Sequence, residues 1–378
     1  TPAFMYIALI YLSILLIQCI SFSFYPFVTI AGFFTRLFIG YAMMRLVKNF
    51  PKVYVKVMVG LAILSFVFYF SYLLFYYSGI NLDSKIIQIA TSLGTASSGS
   101  GYRYPLIFHT FVLFENSFFR NSGMFWEPGA FQGYLILALI FLAFVKNDMP
   151  RKQYIRYLLI LCSAVLSTLS TTGYIALALI PLLHYNWQAR QRSRMMFRLA
   201  VGLVIILPLL VVGGLYAYRT LPFLGEKIEG QMEQAQYQNR AGWYKGRVGS
   251  LVFDWKYIQE RPLTGWGLHS VTRHALDPWM QVDDGMGNGM SDFTAKFGIT
   301  GMLLWLFFVF RGMMYHTERN LQVSLVAVLI ICLVLQGEAF LGFPLFLGLA
   351  FMGPFKKLYI SRHFLTRKTL VKRLAESY

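Results

Sequence analysis

Charge is scarce in this chain. Only 13% of its 378 residues are Asp, Glu, Lys or Arg, about half the share that a soluble domain carries, which excludes an ordinary water-soluble fold. Acids are scarcer still, 16 against 34 basic residues for a net charge of +18. Cysteine is nearly absent. Cys19, Cys162 and Cys332 all fall in apolar runs, so there is no disulfide framework and no Cys/His metal cluster, and the three read as small buried residues. Signature motifs are missing too. Without a Walker loop there is no ATP-driven pump. HExxH, CxxC and GxSxG are absent. So is Asp-x-Asp, which argues against a metal-dependent enzyme using a nucleotide sugar, since such an enzyme needs carboxylates to hold the ion over the diphosphate. No cofactor and no metal site is expected.

What the chain has is apolar length. Its residues are 57% apolar and 17% aromatic, in recurring runs of about 17–22 residues, the length that crosses a bilayer core of about 30 Å. The runs predict an all-α polytopic membrane protein. Spans are expected near 3–23, 26–46, 57–77, 124–145, 154–170, 172–187, 199–218, 297–311, 320–336 and 338–355, about ten in all. The first run reads as a span rather than a signal peptide. Twenty-one of the basic residues sit in five short segments, Arg45 to Lys56, Lys146 to Arg156, Arg190 to Arg198, Arg311 to Arg319 and the tail from Lys356. That is the positive-inside pattern, which places these segments and both chain ends in the cytoplasm. It also explains the net charge without nucleic acid. The basic tail 356–378 is a topology determinant that touches anionic membrane lipid. The chain then reads as one integral membrane domain, 1–378, with two large outer loops, 78–123 and 219–296.

The second loop holds nine of the 16 acids and is too long and too polar to be a connector. A helix is expected within it from Ala241 to Gln259, ended by a turn at Pro262, Gly265 and Gly267. Arg36 falls inside the second span, where a charge is expensive and therefore a functional candidate; it either works there, snorkels, or pairs with a carboxylate such as Glu338. Glu127 precedes Pro128 at the start of a span. It is either an ordinary helix cap or a base or sugar ligand at the outer mouth, with Trp126 as a stacking face.

The order of several motifs resembles the bacterial O-antigen polymerase and ligase family. Arg247 follows Gly246 and stands fifteen residues before Pro262, with Gly265 and Gly267 after it. Phe125-Trp126-Glu127-Pro128-Gly129 looks like a segment at the start of a span in many polymerases, and Ser170-Thr171-Thr172-Gly173 like the Ser/Thr-Gly opening of a later helix. The resemblance covers roughly residues 115 to 350. It implies a GT-C-like inner-membrane glycosyltransferase, its loops and site facing the periplasm, acting on undecaprenyl-diphosphate-linked oligosaccharide; a chain-length regulator is a further partner it allows. Ligases resemble one another in a His-[Asn/Ser/Gln]-x9-Gly-x-x-Gly pattern. Asn288, Gly298 and Gly301 fit it, but the histidine position is Gly287. Polymerase is therefore favoured over ligase, although His269 or His274 could substitute.

The chemistry that the resemblance implies needs a cation for the departing diphosphate and a base for the acceptor hydroxyl. Arginine suits the first because its planar fork binds phosphate oxygens bidentately. Arg247 is the first choice, with a salt bridge to Asp254 or Glu260 as its alternative role, and Arg103, Arg120, Arg240 and Arg273 are further diphosphate ligands. The base is Glu127 or His269, and less readily His109 or Asp292. Trp126, Trp243, Trp266 and Trp279 are candidate sugar-stacking rings, or else belt anchors. A transporter of lipid-linked oligosaccharide stays as the reading of another class.

Overall fold

The computed structural model describes residues 2–79, 102–103, 109–111, 119–184, 246–277 and 287–353. The expected span 199–218, Trp243, Trp279, Arg240 and the basic tail lie outside the described residues.

The helices follow the apolar runs. α1 is Pro2–Phe22, α2 Phe27–Leu46 and α3 Phe50–Tyr77; α4 is Pro128–Phe144, α5 Arg151–Ser167 and α6 Thr171–His184. Further along come α7 Arg247–Glu260, the short α8 Ser270–Arg273, α9 Gly289–His316 and α10 Leu321–Leu335. Proline sits at the first turn of α3 and α4, where its missing N–H costs nothing. Asn288 and Asn320 cap α9 and α10, each side chain accepting a first-turn N–H, the strongest kind of start signal.

Four helices among the described residues are long and apolar enough to cross a membrane: 4–22, 27–46, 50–77 and 289–316. The apolar helices 128–144, 171–183 and 321–335 are shorter. At 1.5 Å per residue α4 is about 25 Å long. Its residues from Leu135 to Leu142 are all buried, so protein rather than lipid surrounds it. It packs against α3, α5 and α6, and α9 packs against α1, α7 and α10. At one end Lys52 Nζ donates to Asp148 O at 3.2 Å, bringing two of the basic segments together.

The fold is mostly helical, consistent with an all-α membrane protein, but two expected spans need correction and one loop carries a small sheet. The first large loop contributes an antiparallel sheet, β1 Tyr102–Arg103, β2 His109–Phe111 and β3 Arg120–Gly123. The expected span 338–355 is not one helix. Its described part runs through a turn, a 3-10 turn at Phe340–Gly342, α11 at Pro344–Gly348 and another 3-10 turn at Leu349–Phe351. Pro344 removes a donor, and α11 lies so close to α2 that a Cβ on Gly348 would come within 2.8 Å of Gly40 O. Finally, α9 starts eight residues before the expected span, at Gly289, and bends at Gly298, whose φ is 71°.

The turn after α7 is locked onto that bend. Trp266 and Gly267 donate to Ala295 O and Lys296 O at 2.9 and 3.0 Å, and Ile299 donates to Pro262 O at 2.7 Å. Gly265 and Gly267 have φ of 69° and 91°, which glycine adopts without strain. A Cβ on Gly265 would also lie 2.6 Å from the Gly298 nitrogen. Glycines on both strands are what let the two backbones meet.

Candidate functional site

Four charged side chains from distant parts of the sequence converge where the starts of α4, α6 and α7 meet the end of α10. β3 supplies Arg120. It is held by Asn121, whose amide donates to Ser65 Oγ on α3 at 3.0 Å and to Ser167 Oγ on α5 at 3.1 Å. Arg120 Nε donates to Thr168 O at 3.0 Å. Burial, and then the neighbouring Arg247, push its guanidinium down to about 10 against the pull of Glu127, so it stays charged at neutral pH.

Glu127 occupies the N-cap position of α4, yet its side chain makes no capping hydrogen bond. It turns instead over Gly129, where any Cβ would overlap Glu127 Oε1 and lie 3.2 Å from Arg247 Nη2. Its carboxyl also hydrogen-bonds Glu338. Arg247 opens α7. Its Nη1 donates to Thr172 Oγ1 at 2.9 Å and its Nε to Gly337 O at 3.3 Å. The salt bridge to Asp254 or Glu260 considered for it is not made.

Glu338 sits in the turn after α10. Burial, with the hydrogen bond and charge of Glu127 behind it, pushes it up to about 9. It therefore holds a proton at neutral pH and donates it to Glu127, the arrangement expected of two carboxyls that share a site. Glu338 does not pair with Arg36. That guanidinium donates to Gly32 O at 3.2 Å and to Gly342 O at 3.3 Å.

The structure thus brings Glu127, Arg120 and Arg247 together and adds Glu338 and Thr172, which the sequence reading did not assign to the site. A lone acid in an apolar stretch was the signal for Glu338. Thr172 had only its place beside Gly173.

The remaining candidates lie elsewhere or are otherwise engaged. Arg273 is 1% exposed, held by Asp254 and Asp292. Ser291 Oγ donates to Asp254 at 2.6 Å, and Lys296 Nζ to Asp292 at 2.5 Å. A guanidinium so enclosed is not free to bind diphosphate, and Asp292 is no free base. Burial pushes Asp254 up to about 6 against the pull of Arg273. His269 caps α8, its Nδ1 accepting from Val271 N at 3.3 Å, with its ring 5.0 Å from that of Phe24; no described contact joins it to Glu127 or Arg247. His274 packs against Phe253 and Tyr257, and burial followed by Arg273 pushes it down to about 4.

Trp266 is no stacking surface. It is 7% exposed, stacks on Phe22 and donates to Tyr257 O at 2.8 Å, a core anchor of the locked turn. Trp126 is 38% exposed and lies parallel to Phe343 at 4.8 Å, which covers one face of the ring. Arg103 and His109 fall on β1 and β2.

An acid pair with one proton, beside two arginines and a hydroxyl, can take a proton from an alcohol and hold a phosphate anion. Residues 157–306 match a protein-family model described as O-Antigen ligase, consistent with an O-antigen polymerase and ligase family. The matched region includes Thr172, Arg247, the locked turn and Gly298, and leaves Glu127 and Glu338 outside. No curated protein and no solved structure matches the chain.

Proposed function

We propose, with the O-antigen polymerase and ligase family as the premise, that this chain is a polysaccharide polymerase. It transfers a growing glycan from undecaprenyl diphosphate to the non-reducing end of another lipid-linked repeat unit at the periplasmic face of the inner membrane. The observation that carries the reading is the meeting of Glu127 with Arg247. The acceptor hydroxyl attacks the anomeric carbon, its proton passing to Glu127. The bond from that carbon to the diphosphate oxygen breaks, and the electron pair leaves with undecaprenyl diphosphate. Arg247 and Arg120 take up the charge that develops there, a task for fixed charges in a partly dry site. No metal is needed in this scheme. One displacement inverts the anomeric centre. Glu338 keeps Glu127 oriented through their shared proton, and the open face of Trp126 offers a sugar a platform.

The description of the matching family favours a second reading, a ligase to lipid A core. Position 287 weighs against it. A glycine stands where ligases carry histidine, and its N–H donates to Ser250 Oγ at 2.7 Å. The two readings separate in one assay, purified protein with lipid-linked repeat units and no lipid A core. Growth in glycan length supports polymerase, and reaction only after core is added selects ligase. Arg247→Ala at normal protein level should abolish long product; an unchanged ladder of lengths would remove Arg247 from the mechanism.

A further inference from the structure

The segment from Gln336 to Phe343 has a second side. Gly337 O receives Arg247 and Gly342 O receives Arg36, so arginines from two different helices dock on one short wall. Beyond it lies a cavity of 240 Å³ whose lining includes Arg36, Lys296, Asp292, Gly289 and Ala339. At ~30 Å³ per water that is room for about eight waters. It is below the roughly 300 Å³ at which sites for drug-sized ligands begin. A phosphate headgroup fits.

The charges around it do not cancel. Asp254, Asp292, Arg273 and Lys296 are tied to one another and balance, two against two. Arg36 is left over, with no carboxylate in ion-pair reach among the described residues. It is the tenth residue of α2, about 14 Å along the helix from its start. Two of the five guanidinium N–H groups are used on carbonyls, which leaves three for an anion. An unbalanced cation at that depth is expensive unless something answers it.

We propose that this cavity binds a phosphate group carried by a lipid, with Arg36 as its principal ligand. The carrier is a lipid because α2 is peripheral, burying only Phe33, Leu37 and Gly40. A headgroup whose tail lies in the bilayer reaches Arg36 from the side, whereas free phosphate would have to leave water at mid-helix. This binding site stands whether or not the Arg247 site performs glycan transfer.

The test is native mass spectrometry of the full chain titrated with undecaprenyl diphosphate. The natural protein should bind one lipid more than Arg36→Gln, or bind it about tenfold or more tightly, as loss of charged hydrogen bonds implies. Thr29→Phe fills the cavity with every charge kept and should lose the same lipid, so it carries the test if Arg36→Gln does not fold. Arg247→Gln should retain the Arg36-dependent lipid, which keeps this result separate from that for the polymerase site. Equal binding by the natural protein and both cavity variants overturns the proposal. Inorganic diphosphate addresses the source: inability to displace that lipid supports the assignment, and displacement at equal concentration overturns it.

Discussion

Replacing Glu338 with glutamine should remove one limb of the protein's pH dependence while leaving it folded. At neutral pH Glu338 is the protonated partner of Glu127, and a glutamine amide donates the same hydrogen bond. The difference emerges as pH rises. The folded value of Glu338, about 9, stands above its ordinary 4.5. Its stabilising contribution is therefore complete below pH 4.5 and is lost as pH climbs through 9, because the folded state holds the extra proton. Among the other shifted groups outside the spans, Asp254 and His274 have finished titrating by pH 7, and Arg120 loses its proton only around 10. The window from pH 7 to 9 isolates Glu338. Two pH units at ~1.4 kcal/mol each give about 3 kcal/mol, a fall in Tm of roughly 4 °C for a chain of this size. Thermal unfolding of detergent-purified protein should show that fall for the natural chain and a nearly flat line for Glu338→Gln. Glycan transfer should fall over the same window only in the natural chain. Parallel slopes in the two proteins would refute the shared-proton pair.

Asp254→Asn strips Arg273 of a buried partner and should cost about 3–5 kcal/mol, read as a lower Tm in detergent. Gly298→Ala forces a side chain into positive φ against the turn after α7 and should cost at least about 1–3 kcal/mol, with activity falling alongside; an unchanged Tm would mean that the two backbones are not locked. Trp266→Ala should destabilise by about 3–5 kcal/mol. Trp126→Ala should leave Tm within about 1 °C and raise KM for the acceptor, and the reverse pattern for these two tryptophans would exchange their roles.

Much of this was legible in the sequence, for physical reasons that vary by element. Long apolar runs located α1, α2 and α3 because a spanning helix leaves a signal in every residue. Glu127 and Arg247 stood out because charge beside a helix start is rare in so apolar a chain. The broken segment after α10 was hidden: hydropathy from Ala339 to Phe351 is that of a span, and only contact with Gly40 and the turns around Pro344 break it. The strands were too short, two to four residues, to show an alternating pattern. Glu338 was named only as one carboxylate that Arg36 could pair with, because sequence gives no distances, and its tie to Glu127 joins residues 211 positions apart. Trp266 looked available beside a polar motif, whereas the turn it belongs to folds it inward. Arg273 drew attention as a loop cation, and only packing reveals the two aspartates that enclose it.

The lock between the turn at Pro262–Gly267 and the bend at Gly298 has a mechanical consequence. α7 is an arm about 20 Å long, fixed at its far end by those backbone bonds, braced along its length through Ser250 and Asp254, and carrying Arg247 at its tip. A tilt of about 5° at the pin swings the guanidinium by about 2 Å, and a misplacement of about 1 Å can cost a hundredfold in rate. Substitutions at the pin would then imitate loss of the arginine itself, though they touch no substrate.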